Sequence, residues 1–440
     1  MAIASSNFTI MRYGEYPDPT DMTTLPTDIR EIPMTGESMG YQTQSISSQN
    51  INSSRQILDT IQTGYEVSGG VQIEMAPKIW DTLIQGALWA NWQTTPIEED
   101  AEAITVDHDN ANPTTARTIT TTTEIFDTVG TATNKIKEGQ YFQIRTESSA
   151  SIPDALAGIY QVDEVLAADS CTVKQVDGAT PFKASTTATT GDKCKIRASM
   201  IRAPKDGSST NMKRHVFYFE KEQSDLDTPT FTYFKGCYIN TMSINAQSAA
   251  LLTGSIDVMG SQSAIATATQ VSGSHLAALA FNGFNAVNHV KDVIVNGKNL
   301  NLVGGSNEQF MQGLDFSITN NLRGIKAIGH LANVDTAAGM LGVTGNINVF
   351  FADTAMYTLF VNQTEFGLSY SVVNESGDGY VFSFPRVTIS NDSMSAGGQD
   401  QDIVENMQFT AMYDNTDQGG SYSSSGYQTS IQIDRFYTSY

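Results

Sequence analysis

Polar and apolar residues alternate in short stretches along most of the chain, interrupted by clusters of Gly, Ser and Asn. That is the period of half-buried strands bounded by turns. From Glu37 the alternation runs through SSQNINSSRQILDTIQ to a Gly69-Gly70 turn and a compact strand, VQIEM (71–75). The period then changes. Over PKIWDTLIQGALWANW, Ile79, Trp80, Leu83, Ile84, Ala87 and Leu88 fall on one helical stripe. Pro77 is the expected helix start, because its missing N–H is not needed in a first turn.

The same phrase returns 276 residues downstream. Residues 345–360, GNINVFFADTAMYTLF, lie over residues 69–84, GGVQIEMAPKIWDTLI, without a gap. Gly345 falls on Gly69, and INVFF falls on VQIEM. Ala355, Met356, Leu359 and Phe360 take the places of Ile79, Trp80, Leu83 and Ile84, with Asp353, a good cap, at the position of Pro77. Upstream, LDFSITNNLRGI (314–325) stands where MGYQTQSISSQNINSSRQI (39–57) stood, which pairs Arg323 with Arg55. Residues 231–259 and 380–412 each read as two strands around a polar connection, with Thr241–Ile244 facing Arg386–Ile389. Repeated order at matched apolar phase is the mark of an internal duplication. Strands bounded by Ser, Asn and Gly suit antiparallel sheets better than βαβ units. Each copy is expected to be a sheet, a short helix against it and a closing pair of strands.

This reading places a discontinuous first unit at 31–95 and 213–260 and a second at 291–417. The first is interrupted by an inserted domain at 96–212, in which EGQYFQIRTE, AGIYQVDEV, CTVKQV and CKIRASM alternate as in a small β-barrel or sandwich. Residues 1–30, rich in Pro and Asp, read as an extended arm. Residues 261–290, rich in Ala, Ser and Gly, read as a linker, and a hairpin with an Asn296-Gly297 turn follows. Residues 418–440 read as a Ser/Gly-rich tail.

Composition sharpens the class. Of 440 residues 40% are apolar and only 16% charged, the difference being made up by small polar residues and 35 Gly. The net charge of −22 argues against a sequence-independent grip on nucleic acid. Residues 96–215 carry 13 Lys/Arg and 17 Asp/Glu, whereas the rest carry 12 and 30, so the acid sits on the repeated body. It serves either dispersal in solution or a surface past which a polyanion slides. No apolar run reaches the roughly 18–20 residues of a membrane span, and the first residues lack the pattern of a secretory signal. A soluble protein made in the cytosol is expected. Cys171, Cys194 and Cys237 make neither a disulfide framework nor a CxxC pair.

No catalytic, cofactor or metal residues are assigned. GxSxG, P-loop and GxGxxG patterns are missing, and His108, His215, His275, His289 and His330 are scattered. His215, ahead of VFYFE, reads as a strand start. DHDNAN (107–112) opens like a calcium loop but lacks the Gly at position six and the Glu at position twelve. A solvated loop is the reading, with loose cation binding by the acids of 98–109 as its alternative.

Several blocks then carry a resemblance. TGESMGYQTQSISSQNINSSRQI followed by VSGGVQIEMAPKIWDTLIQGALWANW resembles the opening of the phage tail tube (major tail) proteins of long, non-contractile tails. FKGCYINTMSINAQSAALLTGSIDVMG, GLDFSITNNLRGI, TGNINVFFADTAMYTLFVNQTE, YVFSFPRVTISN and IVENMQFTAMYDNT with IDRF resemble the later blocks, in order. Only about residues 94–212 fall outside the resemblance. It implies a structural virion protein without catalysis or cofactor, a mainly β fold whose open sheets close into a barrel in the oligomer. Rings would stack on a tape-measure protein, with tail terminator and distal tail proteins at the ends. Assembly in the host cytoplasm, no membrane, and passage of genomic DNA without specific binding are also implied. With two units per chain, three chains make the six-unit ring. Glu74 is then a candidate lumen-facing acid, and Arg55, Arg323, Trp89 and Trp92 are candidate inter-subunit contacts. Trp80, on the apolar stripe, belongs to the core. Two alternatives stand beside this: an adhesin whose inserted domain binds carbohydrate, and the inner tube of a contractile tail.

Overall fold

The computed structural model describes residues 5–50, 56–93, 97–107, 117–128, 134–146, 158–175, 193–280, 282–300, 310–395, 398–399, 401–415 and 427–437. Strands β1 (Thr9–Glu15), β2 (Asp28–Glu31), β3 (Met34–Glu37), β4 (Gly40–Ser47) and β5 (Thr60–Glu74) lead to helix α1 (Asp81–Leu88). The middle of the chain forms β6 (Ile97–Asp107), β7 (Arg117–Thr121), β8 (Tyr141–Thr146), β9 (Gly158–Ala167), β10 (Ser170–Gln175) and β11 (Lys193–Arg202). Next come β12 (Phe217–Gln223), β13 (Thr230–Gln247), β14 (Thr253–Gly260), β15 (Gln262–Ala266) and β16 (Ser274–Leu276). A second series follows: β17 (Val290–Val295), β18 (Lys298–Asn299), β19 (Met311–Thr319), β20 (Arg323–Ile325), β21 (Asp335–Ala337) and β22 (Gly342–Phe350). It ends with α2 (Ala355–Val361), β23 (Phe366–Val373), β24 (Gly379–Ser395), β25 (Val404–Ala411) and β26 (Gln432–Arg435).

Two ladders run in the same order. In the first, β3 and β4 lie end to end on β5, β5 pairs with β14, and β14 with the C-terminal half of β13. In the second, β19 pairs with β22, β22 with β25, and β25 with the C-terminal half of β24. Even the irregularities match. The β13–β14 ladder shifts at Asn240 and the β24–β25 ladder at Ser390; the first strand of each ladder shifts at Thr35 and at Gln312. The antiparallel pairing of β13 with β19 joins the ladders into one eight-strand sheet.

A bulge bends a strand. Past theirs, the N-terminal halves of β13 and β24 leave this sheet for an outer layer: β1–β12–β13–β15 in the first unit and β17–β23–β24–β26 in the second. Between the layers lies the core, with Val71, Ile73, Trp80, Met242, Ile256, Phe316, Ile318, Ile347, Phe384 and Phe409 buried together. The inserted strands β6–β10 and the first half of β11 surround a separate core of Ile119, Phe126, Phe142, Val162 and Ile196. The four alternating segments read from the sequence are β8, β9, β10 and β11.

Several expectations are corrected. Lys78 has a φ of 70°, so Pro77 heads a turn and the helix starts at Asp81. The arm expected at 1–30 contains β1, whose Met11 and Tyr13 are buried against β12. The linker expected at 261–290 contains β15, β16 and the buried Phe284. The tail expected at 418–440 contains β26, paired on one side with β11 and on the other with β24. Register also differs. Val71 pairs with Ile256 as Ile347 pairs with Met407, and those residues pair with Met242 and Asp392. Met242 therefore corresponds to Asp392, five positions beyond the alignment of Thr241–Ile244 with Arg386–Ile389. By the same argument Leu314, opposite Ile347, stands where Glu37 stands opposite Val71, not where Met39 does.

Candidate functional site: a polar sheet face and two open rims

One face of the eight-strand sheet covers the core, so every second residue must be polar on the other. It carries Ser68, Gln72, Thr253, Ser255, Thr241, Ser243, Asn245, Ser317, Thr344, Asn346, Gln408 and Asn391. Its own charged residues, among those described, are Glu66, Glu74, Asp257 and Asp315, and the Lys326 ammonium reaches onto it from the excursion between β19 and β22, donating to Gln44 Oε1. Asn346 steadies Asp315, its amide donating to Oδ1 at 2.8 Å. Glu74 stands opposite Thr253, partly exposed on this face.

The two ends of the sheet are open. Residues 391–395 of β24 have a strand partner only on the β25 side, and β3 and β4 have one only on the β5 side, among the described residues. Unpaired N–H and C=O groups at such a rim are a template for another strand. Apolar side chains mark the same places: Tyr41 on β4 is 44% exposed and Met394 on β24 is 43% exposed. At the internal junction their counterparts Ile318 and Ile244 are both 0% exposed. Beside Met394 lies a carboxyl pair. Glu405 opposes Met394 and Asp392 opposes Met407, so the two acids are diagonal neighbours on the core side. Apart from each other and the Ser393 backbone N–H at Asp392, the two carboxyls find no partner within the described chain. Burial, with the facing Asp392 carboxyl behind it, pushes Glu405 up to about 7, and burial also raises Asp392.

Repetition of one ladder and open rims belong together in a protein built to polymerise. A family profile described as phage tail tube protein matches residues 9–411. The chain belongs to that family. No match is found among curated proteins. Membership makes this a structural component of the virion tail that assembles with itself, and a non-enzymatic one. No helix among the described residues is long and apolar enough to cross a membrane.

The residues expected at tube contacts end up in different places. Trp89 and Trp92 are 3% and 6% exposed, so neither offers surface to a neighbouring subunit. Trp89 stacks on Tyr238 with ring centroids 5.7 Å apart. The Trp92 indole N–H donates to the Asp81 carbonyl at 3.0 Å, and the Arg435 guanidinium lies 4.4 Å from its ring centre. Arg323 is exposed on β20, in the excursion between β19 and β22. Arg55 and the DHDNAN acids from 108 onward lie outside the described residues. His215 is buried just ahead of β12, bonded to Glu15 at 2.6 Å and to the Ala90 carbonyl at 3.1 Å.

Sequence reasoning missed the fastener at Asp81. Its carboxylate accepts from Arg435 at 2.5 Å, from Tyr380 at 2.8 Å and from Tyr437, tying α1 to β24 and β26. An acid on an otherwise apolar helix face, with IDRF near the chain end, was the available signal. It also missed Asp392 and Glu405, whose sequence context is that of ordinary solvated acids.

Proposed function

We propose that three copies of this chain close into a ring of six sheet units, and that stacked rings form the hollow tube through which the phage genome passes. The observation that carries this is the β13–β19 junction, where the sheet of one unit continues into the sheet of the next. The matched order, register and bulges of the two ladders support reading the chain as a duplication. Its internal junction is then a finished example of the joint a ring repeats, and closure satisfies the rims left open in the single chain.

The dimensions are adequate. Strands about 4.8 Å apart, about 24 to a ring, close on a backbone diameter of about 37 Å before tilt widens it. That leaves a bore wider than a double helix once side chains are subtracted. The polar face lines it, with Glu66, Glu74, Asp257 and Asp315 facing inward. Phosphates meet mostly like charge, with Lys326 at the rim of the face set against four acids, so DNA slides rather than sticks.

A tape-measure protein in the bore sets the number of rings, and tail terminator and distal tail proteins close the ends. Rings stack through the excursions that contain Arg55 and Arg323. Exposed Ile46, Leu58 and Ile61 on the first, and Ile328 and Met340 on the second, supply apolar contact area. Electron microscopy of assembled tubes tests the reading. Three chains per ring with approximate sixfold symmetry are expected; six chains per ring would overturn it.

A further inference from the structure

This inference rests on the ring just proposed and concerns how one chain meets the next. Inside the chain, Thr241, Met242, Ser243 and Ile244 oppose Thr319, Ile318, Ser317 and Phe316. The ladder partners identify their counterparts at the open rims. Asn391, Asp392 and Ser393 face β25 as Thr241, Met242 and Ser243 face β14, with Met394 next in line for Ile244. Gln42, Tyr41 and Gly40 face β5 as Thr319, Ile318 and Ser317 face β22, with Met39 next in line for Phe316.

We propose that the seam between chains keeps the register of the seam within the chain, so that Asn391, Asp392, Ser393 and Met394 oppose Gln42, Tyr41, Gly40 and Met39 of a second copy, and that the Tyr41 phenol of that copy covers the Asp392–Glu405 carboxyl pair. Both rims carry the exposed apolar side chains that this register buries against each other. Glu405 is fully buried and meets only the Asp392 carboxyl, and a phenol O–H arriving from the next chain is a further donor to the pair. Tyr41 is free to turn toward it: its ring packs on Tyr65 at 5.0 Å, and its hydroxyl has a 3.5 Å contact with the Gln62 amide.

The two kinds of seam then differ in chemistry. Within the chain Met242 and Gly254 occupy the places held by Asp392 and Glu405 at the rim, so the internal seam is apolar. The external seam holds two acids, with Asp353 adding negative potential and, among the described residues, no Lys, Arg or His in the set of groups that act on either acid. A facing carboxyl pair holds one proton between its members, and above about pH 7 it loses that proton and repels itself. External seams therefore loosen as pH rises and internal ones do not.

Paired cysteines test the register. Gly40→Cys has open space for its side chain. Combined with Ser393→Cys it should give oxidised tubes that dissolve in detergent as covalently closed trimers. Gln42→Cys with Ser393→Cys, two positions out of register and about 7 Å apart, should not. Three-chain rings that link through the second pair, or through neither, overturn the register and leave the ring standing. Rings of another stoichiometry overturn the ring itself. A second measurement needs no new bond: wild-type tubes should dissociate in urea at least about tenfold faster at pH 9 than at pH 6. The Asp392→Asn, Glu405→Gln variant should show a flat profile. A variant as pH-sensitive as wild type overturns the role of the pair, whereas uniform weakening at every pH would mean packing alone.

Discussion

Helices α1 and α2 occupy matching places in the two units and have different surroundings. In α1, Asp81, Leu83, Ile84, Ala87 and Leu88 are all buried; in α2 only Met356 is. α1 lies across a joint, packing on β13 of its own unit and on β19 of the other. Asn320, just past β19, completes the cover: its amide donates to the Ala87 carbonyl at 2.8 Å and to the Ile239 carbonyl at 3.0 Å. Among the described residues α2 packs mainly on β24, leaving Tyr357 and Val361 exposed. Helix sequence does not explain this, because the apolar phase is the same in both. Burial follows from whether a neighbouring sheet rim arrives. Under the ring reading, the exposed side of α2 measures what the next chain supplies.

The sharpest way to break this comparison is to put one charge at both joints. Ile318→Asp buries an unpaired carboxylate at the internal seam and should cost about 4 kcal/mol or more, enough to lower the thermal midpoint steeply. Its rim counterpart Tyr41→Asp should leave the free subunit within about 0.5 kcal/mol of wild type and abolish rings. Calorimetry with electron microscopy separates the two, and equal destabilisation of the free chains would erase the distinction.

Next in size is Asp81, whose counterpart by the 276-residue offset is Tyr357. Burial pushes its carboxyl up while Arg435 pulls it down. Asp81→Asn strands Arg435 in the interior and should cost about 3 kcal/mol in urea unfolding. Tyr357→Ala should change the free subunit by less than about 0.5 kcal/mol.

A smaller effect has a definite sign. Glu405 titrates higher in the folded chain, at about 7, than its ordinary 4.5. The stability linked to its proton is full below 4.5 and lost as pH climbs to 7. Glu405→Gln should therefore match wild type near pH 4.5 and melt higher at pH 8, by roughly 1–2 kcal/mol. No gap between the curves at pH 8 would mean that the pair is not strained.

Smallest for stability are changes on the polar face. Asp257→Lys with Asp315→Lys should leave folding and assembly within about 0.5 kcal/mol of wild type. Tubes carrying them should retain DNA in a salt-dependent way, read by co-sedimentation at low and high salt.

Much of this was legible beforehand, and the residues show where legibility stopped. β5 with α1 and β22 with α2 stood out because a strand, a turn and an amphipathic stripe are local patterns, repeated without a gap. β1 went unread because Pro17 and Pro19 follow so closely that the steps Met11 and Tyr13 were lost in an arm-like composition. The five-position error at β24 has a physical source. Asp392 puts an acid on the core side where Met242 stands, so the alternating Arg386–Ile389 upstream looks the better match to Thr241–Ile244, and only the partner strand shows the true register. Trp89 and Trp92, at the open end of a helix, looked free for a neighbour. Their covers come from far away; Arg435 is bound to Asp81 across 354 positions.

By itself the sequence determined the periods: where strands alternate, where the chain turns, that one set of elements occurs twice, and that acid gathers on the repeated body. Those are set by neighbours a few residues apart, through side-chain direction and backbone preference. Only the tertiary structure decided which rim is occupied and which is bare, that Gly254 and Glu405 hold the same place, and which aromatic rings are enclosed. A strand edge bonds equally well to any strand that reaches it, so its partner is chosen by the packing of the whole sheet.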